Sequence, residues 1–299
     1  MTSSKSSVRG IGVNTWVWVS PLTDANAPAL LRSVAGMGFD AVELPLENPG
    51  DWTAEVVGPL LAETGLRPHV CGAMAPGRDL VEAGEDRVQA TQDYLKACIA
   101  LASQLGAGAV CGPFYAATGR VWRMSPEQRR TAYHQLRQSL SPVVEFAGEH
   151  GVALGIEPLN RYETSLINTV DQALTALDGL LGPALGLMLD TYHLGIEERS
   201  SAAAIRSAAG HLVHVQVCGN DRGAPGDDQS DWTAILAALD EVGYAGDLVI
   251  ESFTAENASI ATAASIWRPL APTQDDLARD GLAFLRGLVG SAAPAGEKR

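Results

Sequence analysis

Four polar side chains stand where apolar stretches end in this sequence of 299 residues. They are Glu157, Asp190, Gln216 and Glu251. A carboxylate removed from water costs free energy unless it is paired, and carboxylates gathered at one place repel one another. A divalent cation relieves both costs, and oxygen donors suit hard ions better than structural zinc. The pattern therefore predicts one divalent metal site, with manganese as the expected ion and magnesium or cobalt as the alternatives.

The elements that must position these side chains follow from an alternation of short apolar stretches with longer amphipathic ones. Eight strands are predicted, over Gly10–Trp18, Asp40–Leu46, Arg67–Gly72, Ala107–Gly112, Val152–Leu159, Leu185–Thr191, Leu212–Val217 and Asp247–Phe253. Helices are predicted between them, among others over Ala25–Met37, Arg87–Leu105, Pro126–His150 and Asp231–Val242. The four polar residues then lie at or near the C-terminal ends of the last four strands.

Eight strand–helix repeats favour one (β/α)₈ TIM barrel spanning residues 1–299, with 1–9 and 291–299 as flexible tails. This fold typically needs about 250 residues and places its chemistry at the C-terminal ends of the strands. A doubly wound parallel sheet is the alternative. It loses support because no G-x-G-x-x-G follows the first strand and no G-x-x-x-x-G-K-[ST] is present.

Composition and charge indicate which binding partners and which cellular location to expect. The net charge is −14 and no Lys/Arg-rich stretch occurs, which argues against binding nucleic acid or an anionic membrane surface. The N-terminal residues lack the apolar segment of a signal peptide, and no apolar stretch reaches membrane-spanning length. The four cysteines show no C-x-x-C spacing, so free thiols are expected. These features favour a cytoplasmic protein.

Several motifs of the second half of the chain occur together in a known group of enzymes. They are Ile156–Thr164 (IEPLNRYET), Asn168–Thr169, Leu189–His193 (LDTYH), Asn220–Gly226 (NDRGAPG), Trp232, Gly243–Tyr244, Glu251–Phe253 (ESF) and Ile266–Arg268 (IWR). In these motifs the chain resembles the sugar isomerase/epimerase superfamily of xylose isomerase-like TIM barrels. Within it, the chain is most similar to the ketose 3-epimerases that act on D-tagatose and D-allulose.

The resemblance implies roles for particular residues. Glu157 and Glu251 would be the acid/base pair, and with Asp190 and the strand-7 residue they would hold the metal. Glu163, His193 and Arg222 would bind substrate oxygens. The implied reaction removes the proton beside a ketose carbonyl, passes through a cis-enediolate and returns a proton on the opposite face. The substrate would be a small sugar, and a homo-oligomer is expected because family members commonly pair.

One ligand position departs from the group. Its 3-epimerases carry His six residues before the arginine of the NDRG motif, and this chain has Gln216 there. Hydroxypyruvate isomerase-like members resemble the chain in having Gln, so an aldose/ketose isomerase is one alternative. A second alternative is the metal-bearing subunit of enzymes that cleave 3-keto-C-glycosides, which would need a small partner subunit. A non-catalytic sugar-binding barrel is a third.

Further residues allow more than one interpretation. Trp16 and Tyr115 are predicted to wall the sugar pocket, although aromatic residues near strands also serve as core. Glu43, at the end of the second strand, could touch substrate, support the site or cap a helix. His214 precedes Gln216 by two residues on the same strand face, so it is either a core histidine or a further metal ligand.

Overall fold

The computed structural model describes residues 9–291 and forms a closed barrel of eight parallel strands. The strands are β1 (Ile11–Asn14), β2 (Ala41–Leu46), β3 (Arg67–Gly72), β4 (Ala109–Gly112), β5 (Ala153–Ile156), β6 (Leu185–Asp190), β7 (Leu212–Val217) and β8 (Leu248–Ile250). Each strand pairs with the next in sequence, and β1 closes the barrel against β8. The predicted (β/α)₈ barrel is therefore confirmed.

Helices surround the barrel and connect successive strands. They are α1 (Ala27–Met37), α2 (Ala54–Thr64), α3 (Glu85–Leu105), α4 (Pro126–Glu149), α5 (Val170–Ala176), α6 (Thr191–Glu197), α7 (Ser201–Ser207), α8 (Trp232–Glu241), α9 (Ala258–Ala263) and α10 (Gln274–Ser291). Within residues 9–291, no helix combines the length and apolar character needed to cross a membrane.

Three strands end three or four residues earlier than predicted, and local chemistry explains two of these ends. In β1 the side chain of Asn14 accepts a hydrogen bond from the Trp16 backbone N–H, which starts a short 3₁₀ turn over Thr15–Val17. β5 ends before Pro158, which has no backbone N–H to donate to a neighbouring strand. β8 ends at Ile250. Glu157 and Glu251 are consequently the first residues beyond their strands, where side chains can enter the barrel mouth.

The pairing register brings polar residues of different strands to the same levels inside the barrel. Asn14 pairs in register with Glu43, and Glu43 with His69. Asp190 pairs in register with Gln216. The core around them is apolar, so these side chains depend on hydrogen bonds from the polar groups next to them.

The N-terminal end of the barrel is held by charged pairs. The Arg9 guanidinium donates to the Tyr244 carbonyl oxygen at 2.7 Å and pairs with Asp240 at 2.6 Å. Residue 9 is thus anchored, whereas residues 1–8 and 292–299 of the predicted tails lie outside the described residues.

Candidate active site at the barrel mouth

A cavity of about 370 Å³ opens at the C-terminal ends of the strands, which is large enough for a small-molecule ligand. Most of the residues predicted for the site line it, namely Trp16, Glu157, Glu163, His193, Gln216, Arg222 and Glu251. Asp190 lies beside the cavity in contact with Arg222. The predicted site residues, with the exception of Tyr115, are therefore brought together at one mouth.

Three buried carboxylates form the polar end of this cavity. Glu157, Asp190 and Glu251 are 5%, 1% and 6% exposed. Arg222 supplies the guanidinium that contacts two of them, with Nη1 donating to Asp190 Oδ2 and to Glu251 Oε2, the latter at 2.8 Å. One cationic side chain therefore faces three acidic ones, and the cluster carries excess negative charge.

The excess charge changes how the glutamates titrate. Burial raises the pKa of Glu157 well above its ordinary value, and the neighbouring Glu251 and Asp190 add to the effect. Burial likewise raises the pKa of Glu251 to about 8, against the opposing influence of Arg222. Buried carboxyl groups with raised pKa values are typical of functional sites.

Asp190 shows how local structure aims one of these groups. Its Oδ1 accepts the Tyr192 backbone N–H at 2.9 Å and so caps the first turn of α6. The capping bond leaves Oδ2 to face Arg222 and the other carboxylates. The same residue thus ends a strand, begins a helix and presents one oxygen to the site.

Two buried oxygens of the cluster lack hydrogen-bond partners among the described residues. They are Glu157 Oε1, which lies 3.3 Å from His193 Nε2 outside hydrogen-bonding geometry, and Gln216 Oε1. Buried oxygens without donors are costly, and a cation is the partner that carboxylate and amide oxygens lack here. The residues at the mouth therefore fit a divalent metal, as their sequence pattern predicted.

His193 is close enough to be considered a ligand, because one donor atom each of Glu157, Asp190 and His193 lie within 4.8 Å of one another. Its hydrogen bonds favour another role. The Asn160 backbone N–H donates to His193 Nδ1 at 3.0 Å, and the Arg222 guanidinium, which can only donate, lies 3.0 Å from Nε2. Burial and the charge of Arg222 lower the pKa of His193 to about 4, so the ring is neutral. Both ring nitrogens thus face N–H groups of the protein, and His193 is tied to Asn160 and Arg222.

Arg222 and Glu163 are held firmly next to His193. The Arg222 guanidinium stacks over the Tyr192 ring at 4.0 Å, and its backbone adopts φ +70°, a conformation that non-glycine residues rarely take. Glu163 Oε1 accepts a hydrogen bond from Asn160 Nδ2 at 2.7 Å, and the same Asn160 positions His193. Asn160 therefore links Glu163 to His193, two residues that the sequence motifs assign to the same site.

The two predicted aromatic residues have different positions. Trp16 lines the cavity, packs against Phe253 with ring centroids 5.7 Å apart, and donates from Nε1 to Glu47 Oε1 at 2.9 Å. Tyr115 is not among the lining residues. It is fully buried, and its hydroxyl donates to the Glu157 carbonyl oxygen at 3.0 Å. The prediction that Tyr115 walls the pocket is corrected on this geometry, because the side chain supports the strand end that carries Glu157.

Several contributors to the site had no usable signal in the sequence. The loop after β3 lines the cavity through residues 72–76, and α9 contributes Ile260 and Ala263. These residues are small or apolar, and nothing in their types distinguishes them from core. The sequence allows Glu43 three roles, and its side chain does not line the cavity.

Comparisons with known proteins agree with this geometry. A family model described as xylose isomerase-like TIM barrel matches residues 31–288. A probable ketose 3-epimerase from Synechocystis sp. is 31% identical over 280 residues, covering 92% of this chain and 95% of that protein. A solved L-ribulose 3-epimerase superposes with a TM-score of 0.87 at 29% identity, covering 97% of this chain and 100% of the other. A Methylomonas sp. D-allulose 3-epimerase in complex with D-allulose superposes with a TM-score of 0.84 at 28% identity, covering 96% and 99%.

Proposed function

This chain belongs to the xylose isomerase-like TIM barrel family, and we propose that it is a metal-dependent ketose 3-epimerase. The observation that carries the proposal is the cluster of Glu157, Asp190 and Glu251, buried beside a sugar-sized cavity with a single guanidinium among them. The relatives named as ketose 3-epimerases support it, since they cover nearly the whole chain.

The proposed ligands of the metal are Glu157, Asp190, Gln216 and Glu251. A divalent cation held there supplies polarisation of a substrate carbonyl and stabilisation of the negative charge that follows proton loss. All four donors are carboxylate or amide oxygens, so we propose Mn²⁺, with Mg²⁺ or Co²⁺ as substitutes.

Glu157 and Glu251 exchange the proton in this proposal. One of them removes the proton from C3 of the ketose, and the other returns a proton to the opposite face of the resulting enediolate. Burial raises the pKa of each carboxyl, and a cation bound there would lower it again, so the metal would help to keep ionised the carboxylate that removes the proton. Inversion requires two such groups, whereas a 1,2-isomerase needs one that moves a proton between adjacent carbons.

The remaining predicted residues bind the substrate. Arg222 donates from its guanidinium to substrate oxygens, where negative charge develops during proton removal, and His193 forms a hydrogen bond with a further substrate oxygen. Glu163 accepts from a hydroxyl group. Trp16 and Phe253 form the apolar wall that excludes water from the polar end of the cavity.

Further expectations about the protein stay predictions. These are a homo-oligomeric state, a cytoplasmic location, and the absence of nucleic-acid and membrane partners. An unphosphorylated sugar is the proposed substrate, since the sequence has no Lys/Arg cluster or glycine-rich loop of the kind that grips phosphate.

The proposal is tested with the purified protein, Mn²⁺ and a panel of free ketoses, including D-allulose and L-ribulose, in D₂O. We expect deuterium at C3 and formation of the C3 epimer of at least one ketose, measured by NMR. Glu157→Gln is the matched control, because it removes one acid/base group while preserving shape. Deuterium at C1 instead would indicate an aldose/ketose isomerase. Activity that appears only with a small partner subunit and a 3-keto-glycoside would indicate the lyase alternative.

A further inference from the structure

Glu43 is fully buried in β2 and is not among the residues that line the cavity. Its carboxylate is nevertheless surrounded by polar atoms. Oε2 accepts from Asn14 Nδ2 at 2.7 Å and from Gln216 Nε2 at 2.6 Å, and Oε1 lies 2.8 Å from His214 Nε2. The contact with Gln216 joins residues 173 positions apart in the chain. Glu43 thus connects the barrel interior to one of the proposed metal ligands.

The amide of Gln216 has two ends that are nearly equal in shape and opposite in chemistry. The carbonyl oxygen accepts hydrogen bonds and can bind a cation, whereas the NH₂ group only donates. A flip of this amide would replace a ligand oxygen by two N–H donors without changing the packing. Gln216 can therefore bind a cation only if a neighbouring group fixes the orientation of its amide.

The selection can be traced to the backbone. The Trp16 backbone N–H donates to Asn14 Oδ1 at 2.8 Å, which leaves Asn14 Nδ2 to donate to Glu43. Glu43 Oε2 is thereby an acceptor, and the end of Gln216 that meets it must be the donor, Nε2. Gln216 Oε1 is consequently turned the other way, where it is buried and has no hydrogen-bond partner among the described residues.

We propose that Glu43 is a positioning residue that orients the Gln216 amide so that its carbonyl oxygen, and not its NH₂ group, faces the candidate metal. This inference rests on the proposed function, because it requires Gln216 to be a ligand. His214 lies beneath Glu43, with Nε2 close to Oε1 but outside hydrogen-bonding geometry, so this histidine belongs to the core below the ligand. Its ring packs on His69, with centroids 4.8 Å apart.

The test measures Mn²⁺ affinity by titration calorimetry and by the electron paramagnetic resonance signal of free Mn²⁺, with no substrate present. In Asn14→Asp/Glu43→Gln, the new carboxylate at position 14 needs a donor, so the NH₂ group of the new amide takes the place of Glu43 Oε2. Gln216 must then present its carbonyl oxygen to position 43 and turn its NH₂ group toward the metal. We expect Mn²⁺ affinity to fall by about 10- to 100-fold, the usual effect of losing a partner that orients a metal ligand.

In Glu43→Gln alone, Asn14 still donates to position 43, so the amide oxygen of the new side chain takes the place of Glu43 Oε2 and Gln216 keeps its orientation. We expect this single variant to bind Mn²⁺ about as tightly as the wild type. Asp40→Asn is a second control, since it removes a carboxylate at the opposite end of the barrel that contacts the Ile11 backbone N–H and Arg286, and it should leave Mn²⁺ affinity unchanged.

Wild-type affinity in the folded double variant would overturn the inference, as would a loss of affinity in Glu43→Gln as large as that in the double variant. Should the double variant fail to fold, Glu43→Leu, which removes the acceptor of Gln216 Nε2, takes its place with the same expected fall in affinity. The proposed function fails separately: in that case the wild-type protein itself binds no Mn²⁺ or exchanges no C3 proton.

Discussion

The two ends of the barrel both bury carboxylates, but they balance the charge in different ways. At the base, Asp247 is paired with the Arg67 guanidinium at 2.5 Å and with His69 Nε2 at 2.9 Å. At the mouth, Arg222 is the guanidinium shared by a cluster that includes Glu157 and Glu251. At the base, two basic side chains therefore surround one carboxylate. At the mouth, one guanidinium is shared by several carboxylates.

The titration of the two regions follows this balance. Burial alone would raise the pKa of Asp247, yet His69 and Arg67 hold it well below its ordinary value. Burial and mutual repulsion raise the pKa of Glu157, and burial raises that of Glu251. A buried carboxylate that is paired with basic side chains of the protein contributes to the fold. A buried carboxylate without enough basic partners is available to bind a cation or to exchange a proton.

The largest expected effect is on catalysis at the mouth. Glu251→Gln should lower turnover of the ketose substrate by about 10²- to 10⁴-fold, because it removes a group that transfers a proton in the reaction. The metal-free variant should be as stable as the wild type or more so, since one of the mutually repelling carboxyls is gone. Steady-state kinetics and thermal unfolding measure both quantities. Unchanged turnover, or a clear loss of metal-free stability, would contradict this account of the mouth.

The base should behave in the opposite way. Asp247→Asn leaves His69 and Arg67 without their carboxylate, and the free energy of unfolding should fall by about 1–3 kcal/mol. The lower part of this range is expected, because the Arg67 side chain is 56% exposed and can be solvated. The substitution is far from the cavity, so turnover at 25 °C should be unchanged. Chemical denaturation and kinetics on the same sample check the two expectations, and a fall in turnover without loss of stability would break the comparison.

A smaller effect is expected on the pH dependence of stability. The pKa of Asp247 is lowered on folding, so its contribution is present above the ordinary value of 3.8 and is lost as the pH falls through and below that value. The stability difference between wild type and Asp247→Asn should therefore be constant near neutral pH and shrink in acid. Denaturant unfolding from pH 6 to pH 3 measures it in a His69→Gln background, which removes the neighbouring group that also titrates in this range. A difference that grows in acid would show that Asp247 is not stabilised by its ion pair with Arg67.

The local sequence pattern was sufficient to predict the barrel fold and the position of the acidic cluster at the strand ends. Alternation of short apolar and longer amphipathic stretches reflects which faces are buried, and this property can be read from neighbouring residues. Glu157, Asp190 and Glu251 were found because a charge at the end of an apolar strand violates that pattern. The motifs around Arg222 and His193 then supplied their expected roles.

The tertiary structure alone decided how the side chains at these positions are oriented. Tyr115 follows a strand, as a pocket residue would, but its hydroxyl bonds to the backbone beneath the site. The sequence placed Gln216 on its strand face, yet the end of its amide that faces inward depends on Glu43, 173 residues away. Burial leaves a repeating mark along the chain, whereas the direction of a hydrogen bond depends on a partner from another strand, and no local pattern records that partner.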